Sequence, residues 1–403
     1  MKNKIFILVF LIILSVNNSI FASIGYENNT KAYLLADYET GQILESYNID
    51  TPIEIASITK LLSYYVIKDE ISKGKIGYYD KVIIDKDTTN VKGSSYKLKE
   101  GEEFTVDKLL KASIIVSGND ATYAMAKHVA GTEAEFVMLM REKARNLGLF
   151  NAEIYNSSGL PINNDGLQNK MTTREIFILT KSLLNDYPEV LELSRIPFIS
   201  EPSRGFLEMN TNPLLRSIDG IDGLKTGYTG KAGYCFVSTF NIKGEPRVSE
   251  DLRLIGVIMG ANSYDERTLI SRELIEYGKD NYIKQVFINK ELSLDTLTFK
   301  MGHPFEIEIY PEEDFSQLVE KSSNIELDIK LKNNTLPIKE NTSFGTVTVL
   351  KDKEPLFTTN IINKEKVDKA SFLILASRFY QGLFSKAEAI FANDLSIANW
   401  QSI

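Results

Sequence analysis

The sequence predicts an α+β fold, in which helices pack on an antiparallel sheet whose two halves lie far apart along the chain. Three observations predict this fold: a hairpin signal at residues 32–45, a block of helical patterns between residues 58 and 185, and strand signals that resume at residue 233. Beyond residue 285, alternating strands predict a small all-β domain, and the chain then ends in an amphipathic helical pattern. A length of 403 residues accommodates these separate domains.

The start of the chain has the pattern of a secretory signal. Lys2 and Lys4 precede an apolar run from Ile5 to Val16, and the small residue Ala22 stands where a cleavage site would fall. The run is short for a membrane span, which needs about 20 apolar residues. We therefore expect a signal peptide over residues 1–22, with an uncleaved N-terminal anchor as the alternative.

The next segments predict one domain over residues 23–285. Ala32–Tyr38 and Gln42–Glu45 flank the turn Glu39-Thr40-Gly41 and form a predicted hairpin. The helical block consists of patterns at 58–71, 106–115, 120–130, 133–147 and 173–185, separated by turn signals such as Ser117-Gly118-Asn119 and Asn163-Asn164-Asp165-Gly166. Strands at Gly233–Phe240 and Arg253–Met259 and a helix at Glu266–Tyr282 complete the domain.

Strict alternation of apolar and charged residues marks the domain predicted over residues 286–366. It occurs in Phe305–Ile309 and Ile325–Leu331, and Gly345–Val349 follows. Such alternation is typical of strands with one buried and one solvated face.

The tail, residues 367–403, predicts an amphipathic helix. Its apolar stripe consists of Phe372, Leu375, Ala376, Phe379, Leu383, Ala387 and Ile390. A helix of this kind favours the interface of a membrane, and packing on its own protein is the alternative.

Composition excludes several function classes. The chain has 46 Lys and Arg against 54 Asp and Glu, a net charge of −8, whereas nucleic-acid binding favours a basic face. The single cysteine, Cys235, excludes an internal disulfide, and its apolar surroundings predict a buried thiol. His128 and His303 are far apart and lack ligand-like neighbours, so we expect no metal and chemistry that does not need histidine.

Ser57-Ile58-Thr59-Lys60 is the first of three short motifs. Because it opens an apolar helix, Ser57 and Lys60 are expected to meet on one helical face. A neutral lysine can activate a serine hydroxyl, and a helix N-terminus aims N–H groups at a developing oxyanion. The other Ser-x-x-Lys copies, Ser72/Lys75 and Ser94/Lys97, lie in polar stretches that predict solvated loops.

The other two motifs are Ser117-Gly118-Asn119, between two predicted helices, and Lys225-Thr226-Gly227, before a predicted strand. Taken singly, the first motif also fits a helix-capping serine with a solvated lysine. The second also fits a turn that caps the next helix, and the third a glycine-rich turn before a strand. The third motif does not match the phosphate-binding Walker pattern. In combination, the three motifs are the signature of penicillin-binding proteins and class A β-lactamases.

The chain resembles the low-molecular-weight penicillin-binding proteins, which are serine D-alanyl-D-alanine carboxypeptidases. Ile55–Lys60, Val116–Ala121 and Asp222–Thr229 look like the three motifs of this family, and Asn156–Leu160 is similar to a further family segment. The resemblance implies the penicillin-binding fold, a peptidoglycan stem pentapeptide as substrate, β-lactams as inhibitors and no cofactor. It also implies an exported enzyme, peripheral to the cytoplasmic membrane.

The resemblance also implies roles for individual residues. Ser57 would form the acyl-enzyme, Lys60 would be its base, and Ser117 would relay protons. Asn119 would hold Lys60 and the substrate amide, while the backbone N–H groups of Ser57 and Tyr228 would form the oxyanion hole. Substrate binding would further involve Lys225, Thr226 and Gly227, with Arg267 as a carboxylate-steering arginine. The chain departs from the family at Tyr228, where many members have histidine, and around Arg267, in Tyr264-Asp265-Glu266.

Four alternatives stay open from the residues. A class A β-lactamase would need a Glu-x-x-Leu-Asn element, and no such pattern occurs between Asn119 and Lys225. A transpeptidase or an endopeptidase would use the same acyl-enzyme. A catalytically silent wall-binding protein would not need intact motifs.

Overall fold

The structure is a computed structural model that describes residues 24–162 and 166–381. The predicted signal peptide over 1–22, residues 163–165 of a predicted turn and the tail beyond residue 381 lie outside the described residues. The chain divides into two compact units. The first runs to Asn241 and includes Arg253–Gly278, and the second consists of Ile242–Leu252 and the chain from Lys279 onward.

The first unit contains the predicted hairpin, helical block, later strands and last helix in that order, together with further strands and short helices that no pattern predicted. Its strands are β1 (Ala32–Asp37), β2 (Ile43–Tyr47), β3 (Ile53–Glu54), β4 (Lys81–Ile83), β5 (Glu103–Thr105), β6 (Lys170–Met171), β7 (Phe198–Glu201), β8 (Phe206–Met209), β9 (Ile221–Thr229), β10 (Gly233–Ile242) and β11 (Leu252–Ala261). Its helices are α1 (Thr59–Ser72), α2 (Lys86–Thr89), α3 (Val106–Ile115), α4 (Asn119–Ala130), α5 (Glu133–Asn146), α6 (Thr173–Asp186), α7 (Val190–Ser194) and α8 (Tyr264–Asn281).

The main sheet has the strand order β2-β1-β11-β10-β9. Strand β1 pairs antiparallel with β11, from Ala32 opposite Met259 to Asp37 opposite Leu254. This pairing joins the first hairpin to strands more than 200 residues later, which confirms the predicted α+β fold.

The helices form where capping and apolar periodicity agree. Thr105, Thr132 and Thr172 each accept a hydrogen bond from a backbone N–H in the first turn of the helix that follows. Each cap satisfies a donor that the helix itself leaves without a partner. Helix α1 is buried on nearly all sides, so it forms the centre of the helical block.

Helix α1 begins at Thr59, and Ser57 lies on a short 3₁₀ turn, Ala56–Ile58, directly before it. The prediction of a helix from residue 58 is therefore wrong by one residue at its start. The 3₁₀ turn is a common way to tighten the entry to an α-helix.

The second unit is a β domain with its own core. It contains β12 (Tyr282–Ile288), β13 (Asp295–Thr298), β14 (Gly302–His303), β15 (Glu306–Pro311), β16 (Phe315–Glu320), β17 (Ile325–Leu331), β18 (Ser343–Lys351), β19 (Glu354–Asn363) and β20 (Asp368–Lys369). A five-stranded sheet has the order β13-β15-β19-β18-β17. Its buried residues include Ile307, Ile309, Val347, Val349 and Ile361.

Alternation in β15 produces the expected buried face, but alternation in β17 does not. Leu327, Ile329 and Leu331 are all between 44% and 48% exposed. Strand β17 is the edge of its sheet, so neighbouring strands cover it on one side only.

Residues 372–381 are helical, as the amphipathic pattern predicts. Phe372, Leu373, Phe379 and Tyr380 are exposed on this helix, and Arg378 Nη1 donates a hydrogen bond to the Gly302 carbonyl at 2.8 Å. Among the described residues, no helix has both the length and the apolar character that crossing a membrane requires.

Candidate active site

The turn that carries Ser57 is held in a restricted conformation. Ala56 has a φ of +46°, a left-handed conformation that side chains other than glycine adopt rarely. Two glycines allow other segments to approach it. A Cβ on Gly159 would lie 1.9 Å from the Ala56 carbonyl oxygen, and a Cβ on Gly227 would lie 3.0 Å from Ser57 N. Glycine is therefore required at residue 159 and favoured at residue 227.

The second motif lies in the short connection between α3 and α4. Ser117 has a φ of +60°, and Asn119 is the first residue of α4. Asn119 N donates to the Ser94 carbonyl at 2.8 Å, and Asn119 Nδ2 donates to the Lys92 carbonyl at 2.7 Å. These bonds leave Asn119 Oδ1 facing the interior as an acceptor.

The third motif lies on strand β9, which pairs with β10. Gly227 is opposite Cys235, and Thr226 is opposite Phe236. Lys225 Nζ donates to Ser117 Oγ at 2.9 Å and to the Thr226 carbonyl at 2.9 Å. This contact joins the second and third motifs.

Lys60 joins the first motif to the second. Its Nζ lies 2.7 Å from Ser57 Oγ, 2.6 Å from Asn119 Oδ1 and 3.1 Å from the Ser158 carbonyl oxygen. The three motifs thus converge on one cleft of about 460 Å³. Its lining includes Ser57, Ser117, Asn119, Thr226, Gly227, Tyr228 and Arg267.

Burial changes the acid strength of both lysines. Desolvation lowers the pKa of Lys60 well below its ordinary value, and the positive charge of Lys225 lowers it further, against a smaller opposing effect of Asp120. Desolvation also lowers the pKa of Lys225 to about 7, with a contribution from the positive charge of Arg267. A lysine that is neutral near neutral pH can accept a proton.

Arg267, near the start of α8, is buried at the cleft wall. Its guanidinium lies 4.7 Å from the ring centroid of Tyr264 and 5.9 Å from that of Tyr234. Its Nε has no hydrogen-bond partner among the described residues. A buried cation of this kind can receive an anionic group.

Sequence reasoning missed Tyr234 and the hydrogen-bonding role of Ser158. Tyr234 is opposite Tyr228 in the β9–β10 pair, with ring centroids 4.3 Å apart, so a hairpin register could have indicated it. Ser158 contributes its carbonyl, which no residue pattern reports. The other two Ser-x-x-Lys copies form no serine–lysine pair among the described residues. In the Ser94/Lys97 copy, Lys97 pairs with Glu208, and in the Ser72/Lys75 copy, Ser72 Oγ donates to the Asp69 carbonyl.

Residues 20–263 match the family model described as D-alanyl-D-alanine carboxypeptidase. The chain belongs to this family. Residues 278–369 match a second model, the C-terminal domain of penicillin-binding protein 5. The D-alanyl-D-alanine carboxypeptidase DacF of Bacillus subtilis is 31% identical over 358 residues, which cover 87% of this chain and 89% of that protein.

Two solved structures extend the comparison. A peptidoglycan synthesis regulatory factor, PBP3 of Streptococcus pneumoniae, has a TM-score of 0.63 at 26% identity and covers 84% of this chain and 99% of its own. Penicillin-binding protein D2 of Listeria monocytogenes, in its cefotaxime-bound form, has a TM-score of 0.56 at 28% identity and covers 62% of this chain and 97% of its own. The protein is thus a D-alanyl-D-alanine carboxypeptidase, a cell-wall hydrolase that acts outside the cytoplasm.

Proposed function

We propose that Ser57 is the nucleophile of this carboxypeptidase and that neutral Lys60 is its base. One observation carries the proposal: Lys60 Nζ lies 2.7 Å from Ser57 Oγ, while its two other neighbours, Asn119 Oδ1 and the Ser158 carbonyl, can only accept hydrogen bonds. A neutral amine has two N–H donors and one lone pair. When both donors are used by these acceptors, the lone pair faces the Ser57 hydroxyl.

The reaction follows from this arrangement. Ser57 Oγ forms a bond to the carbonyl carbon of the penultimate D-alanine as its proton passes to Lys60 Nζ. The C–N bond to the terminal D-alanine then breaks, and the departing nitrogen receives, through the Ser117 hydroxyl, the proton that Lys60 took from Ser57, so Lys60 is neutral again. Water then attacks the acyl carbon and gives a proton to neutral Lys60, and Lys60 returns that proton to Ser57 Oγ as the ester C–O bond breaks.

The rest of the cleft binds the substrate in this proposal. Lys225, Thr226 and Arg267 receive the terminal carboxylate, and the backbone N–H groups of Ser57 and Tyr228 receive the oxyanion. The absence of a side chain at Gly227 leaves room beside Ser57 N. β-Lactams present a reactive cyclic amide beside a carboxylate, so they should acylate Ser57 and inhibit the enzyme.

An intact-mass time course with benzylpenicillin tests the nucleophile. The wild type should gain one long-lived adduct, and Ser57→Ala should gain none. Ser72→Ala, in another Ser-x-x-Lys copy, is the matched control and should react as the wild type does. An adduct of equal yield on Ser57→Ala would contradict the assignment. An adduct that hydrolyses within seconds would instead indicate a β-lactamase.

Product analysis separates the related activities. Release of free D-alanine from a pentapeptide supports carboxypeptidase action, whereas cleavage of cross-linked dimers indicates an endopeptidase and a new amide bond indicates a transpeptidase. A wall phenotype that persists in Ser57→Ala would favour a silent binding role.

We also propose that residues 1–22 direct export and that residues 23–285 form the catalytic domain. Residues 286–366 would form the β domain, and residues 367–403 would follow it as a peripheral membrane anchor. The exposed apolar side chains at 372, 373, 379 and 380 support the anchor, since burial in an interface would remove them from water. Fractionation of cells that express the full chain or a chain ending at residue 369 tests it. The full chain should sediment with membranes and the truncated chain should not.

A further inference from the structure

Asn169 is a buried residue that uses all of its side-chain hydrogen-bonding capacity close to the nucleophile. It is 0% exposed. Its Oδ1 accepts from Tyr155 N at 2.7 Å and from Asn156 N at 3.2 Å. Its Nδ2 donates to the Asn156 carbonyl at 2.8 Å and to Thr59 Oγ1 at 3.1 Å. An asparagine amide offers two acceptor positions and two donors, so no capacity remains.

Backbone and side-chain hydrogen bonds of Asn169 hold the turn that carries Ser57 at both of its ends. The backbone carbonyl of Asn169 accepts from Ile55 N at 3.0 Å, two residues before Ser57, and its side chain holds Thr59, two residues after it. The turn includes Ala56, whose left-handed backbone needs surrounding structure to persist. Asn169 supplies part of that structure.

The same side chain fixes the segment that contacts Lys60. Asn156, bound by Asn169 at both its N–H and its carbonyl, accepts through Oδ1 from Gly159 N at 2.6 Å and Ser158 N at 3.2 Å. Ser158 then presents its carbonyl to Lys60. A continuous path of hydrogen bonds thus runs from Asn169 through Asn156 to the acceptor of Lys60.

We infer that Asn169 is a positioning residue for acylation, which sets the relative placement of Ser57 and the Ser158 carbonyl around Lys60. The inference rests on the proposed function of Ser57 and Lys60. Asn169 does not line the cleft, so it acts through these groups without touching the substrate. Its loss should slow the chemical step and leave initial binding unchanged, because Lys225, Thr226 and Arg267 are on β9 and α8.

The test uses the full exported chain and a fluorescent penicillin. Stopped-flow acylation over a range of penicillin concentrations separates the pre-covalent dissociation constant from the acylation rate constant. Titration with the same penicillin gives the fraction of active enzyme. Asn169→Ala should lower the acylation rate constant of the active fraction by about 10- to 100-fold, the effect of misplacing reacting groups by about 1 Å. The dissociation constant should stay within about twofold.

Asn363→Ala is the matched control. Asn363 is also 0% exposed, donates to the Lys339 and Glu365 carbonyls, and accepts from Thr342 N in the second unit. It should lower the unfolding midpoint as Asn169→Ala does, with an unchanged acylation rate constant.

Thr59→Val is a milder variant, which removes one bond of Asn169 and nearly keeps the side-chain volume. It should slow acylation by a smaller factor, about threefold or more, and it decides the matter if Asn169→Ala does not fold. An acylation rate constant that equals the wild-type value in the active fraction of either folded variant would overturn the inference. If the wild type itself forms no adduct, or Ser57→Ala forms one, the proposed function fails instead.

Discussion

Replacing Lys225 by methionine should make the protein more stable while it removes activity. Lys225 is almost completely buried, and no carboxylate of the described residues lies within ion-pair distance of it. Its ammonium is held by the Ser117 hydroxyl and the Thr226 carbonyl alone. Methionine has a similar shape and volume and carries no charge, so it removes the desolvation cost with little change in packing.

The pH dependence of the effect follows from the pKa of Lys225, which is about 7 in the folded protein against an ordinary value of 10.5. The unfolded chain binds the proton more tightly, so between these two values it holds more protons and wild-type stability rises with pH. By linkage, the lowered pKa of Lys225 reduces the free energy of unfolding by about 5 kcal/mol at pH 6 and by about 2 kcal/mol at pH 9, where the folded protein keeps this lysine neutral. The advantage of Lys225→Met should therefore shrink by about 3 kcal/mol between these pH values. Hydrogen bonds that the neutral lysine makes to Ser117 and to the Thr226 carbonyl are lost from the variant at both pH values and cancel in this difference.

Urea unfolding of the wild type and Lys225→Met at pH 6 and pH 9 measures this difference, and release of D-alanine measures activity. Lys97→Met is the control, because Lys97 is exposed, pairs with Glu208 at the surface and lies over the Phe206 ring. Its effect should be small and independent of pH. A Lys225→Met variant that is less stable than the wild type at pH 6, or whose advantage does not change with pH, would refute the reasoning.

Three further predictions concern the cleft. Gly159→Ala should lose acylation and more than about 3 kcal/mol of stability in urea, because its Cβ would overlap the Ala56 carbonyl. Gly205 also has a positive φ, but its Cβ would lie in open space, so Gly205→Ala should lose only about 1 kcal/mol. Arg267→Gln should raise KM for the pentapeptide by about 10- to 100-fold with a smaller change in kcat, as expected for a lost carboxylate contact, and equal KM values would contradict that role. The acylation rate constant should rise with pH through an ionisation well below the ordinary lysine pKa, since burial lowers the pKa of Lys60. An ionisation near the ordinary value of 10.5 would argue against Lys60 as the neutral base.

Sequence reasoning reached the features that depend on short spacing or on strong local patterns. The first hairpin, the helices of the central block and the β domain were predicted from turn residues and from the spacing of apolar residues along short stretches of the chain. Ser57 and Lys60 are three residues apart on one turn, so their proximity follows from local geometry. The motifs could be recognised because their residue types and order are unusual in combination.

Only the tertiary structure decided what surrounds these residues. The low pKa of Lys60 depends on its complete burial in the folded chain and on Lys225, which is more than 160 residues away. The Ser158 carbonyl and the bonds of Asn169 involve backbone groups, which every residue carries and no pattern distinguishes. Likewise, the apolar residues of β17 alternate as a half-buried strand does, yet they are exposed because β17 lies at an edge. The sequence by itself thus determined the elements and the reactive groups, and long-range packing decided their solvation, their orientation and therefore their chemistry.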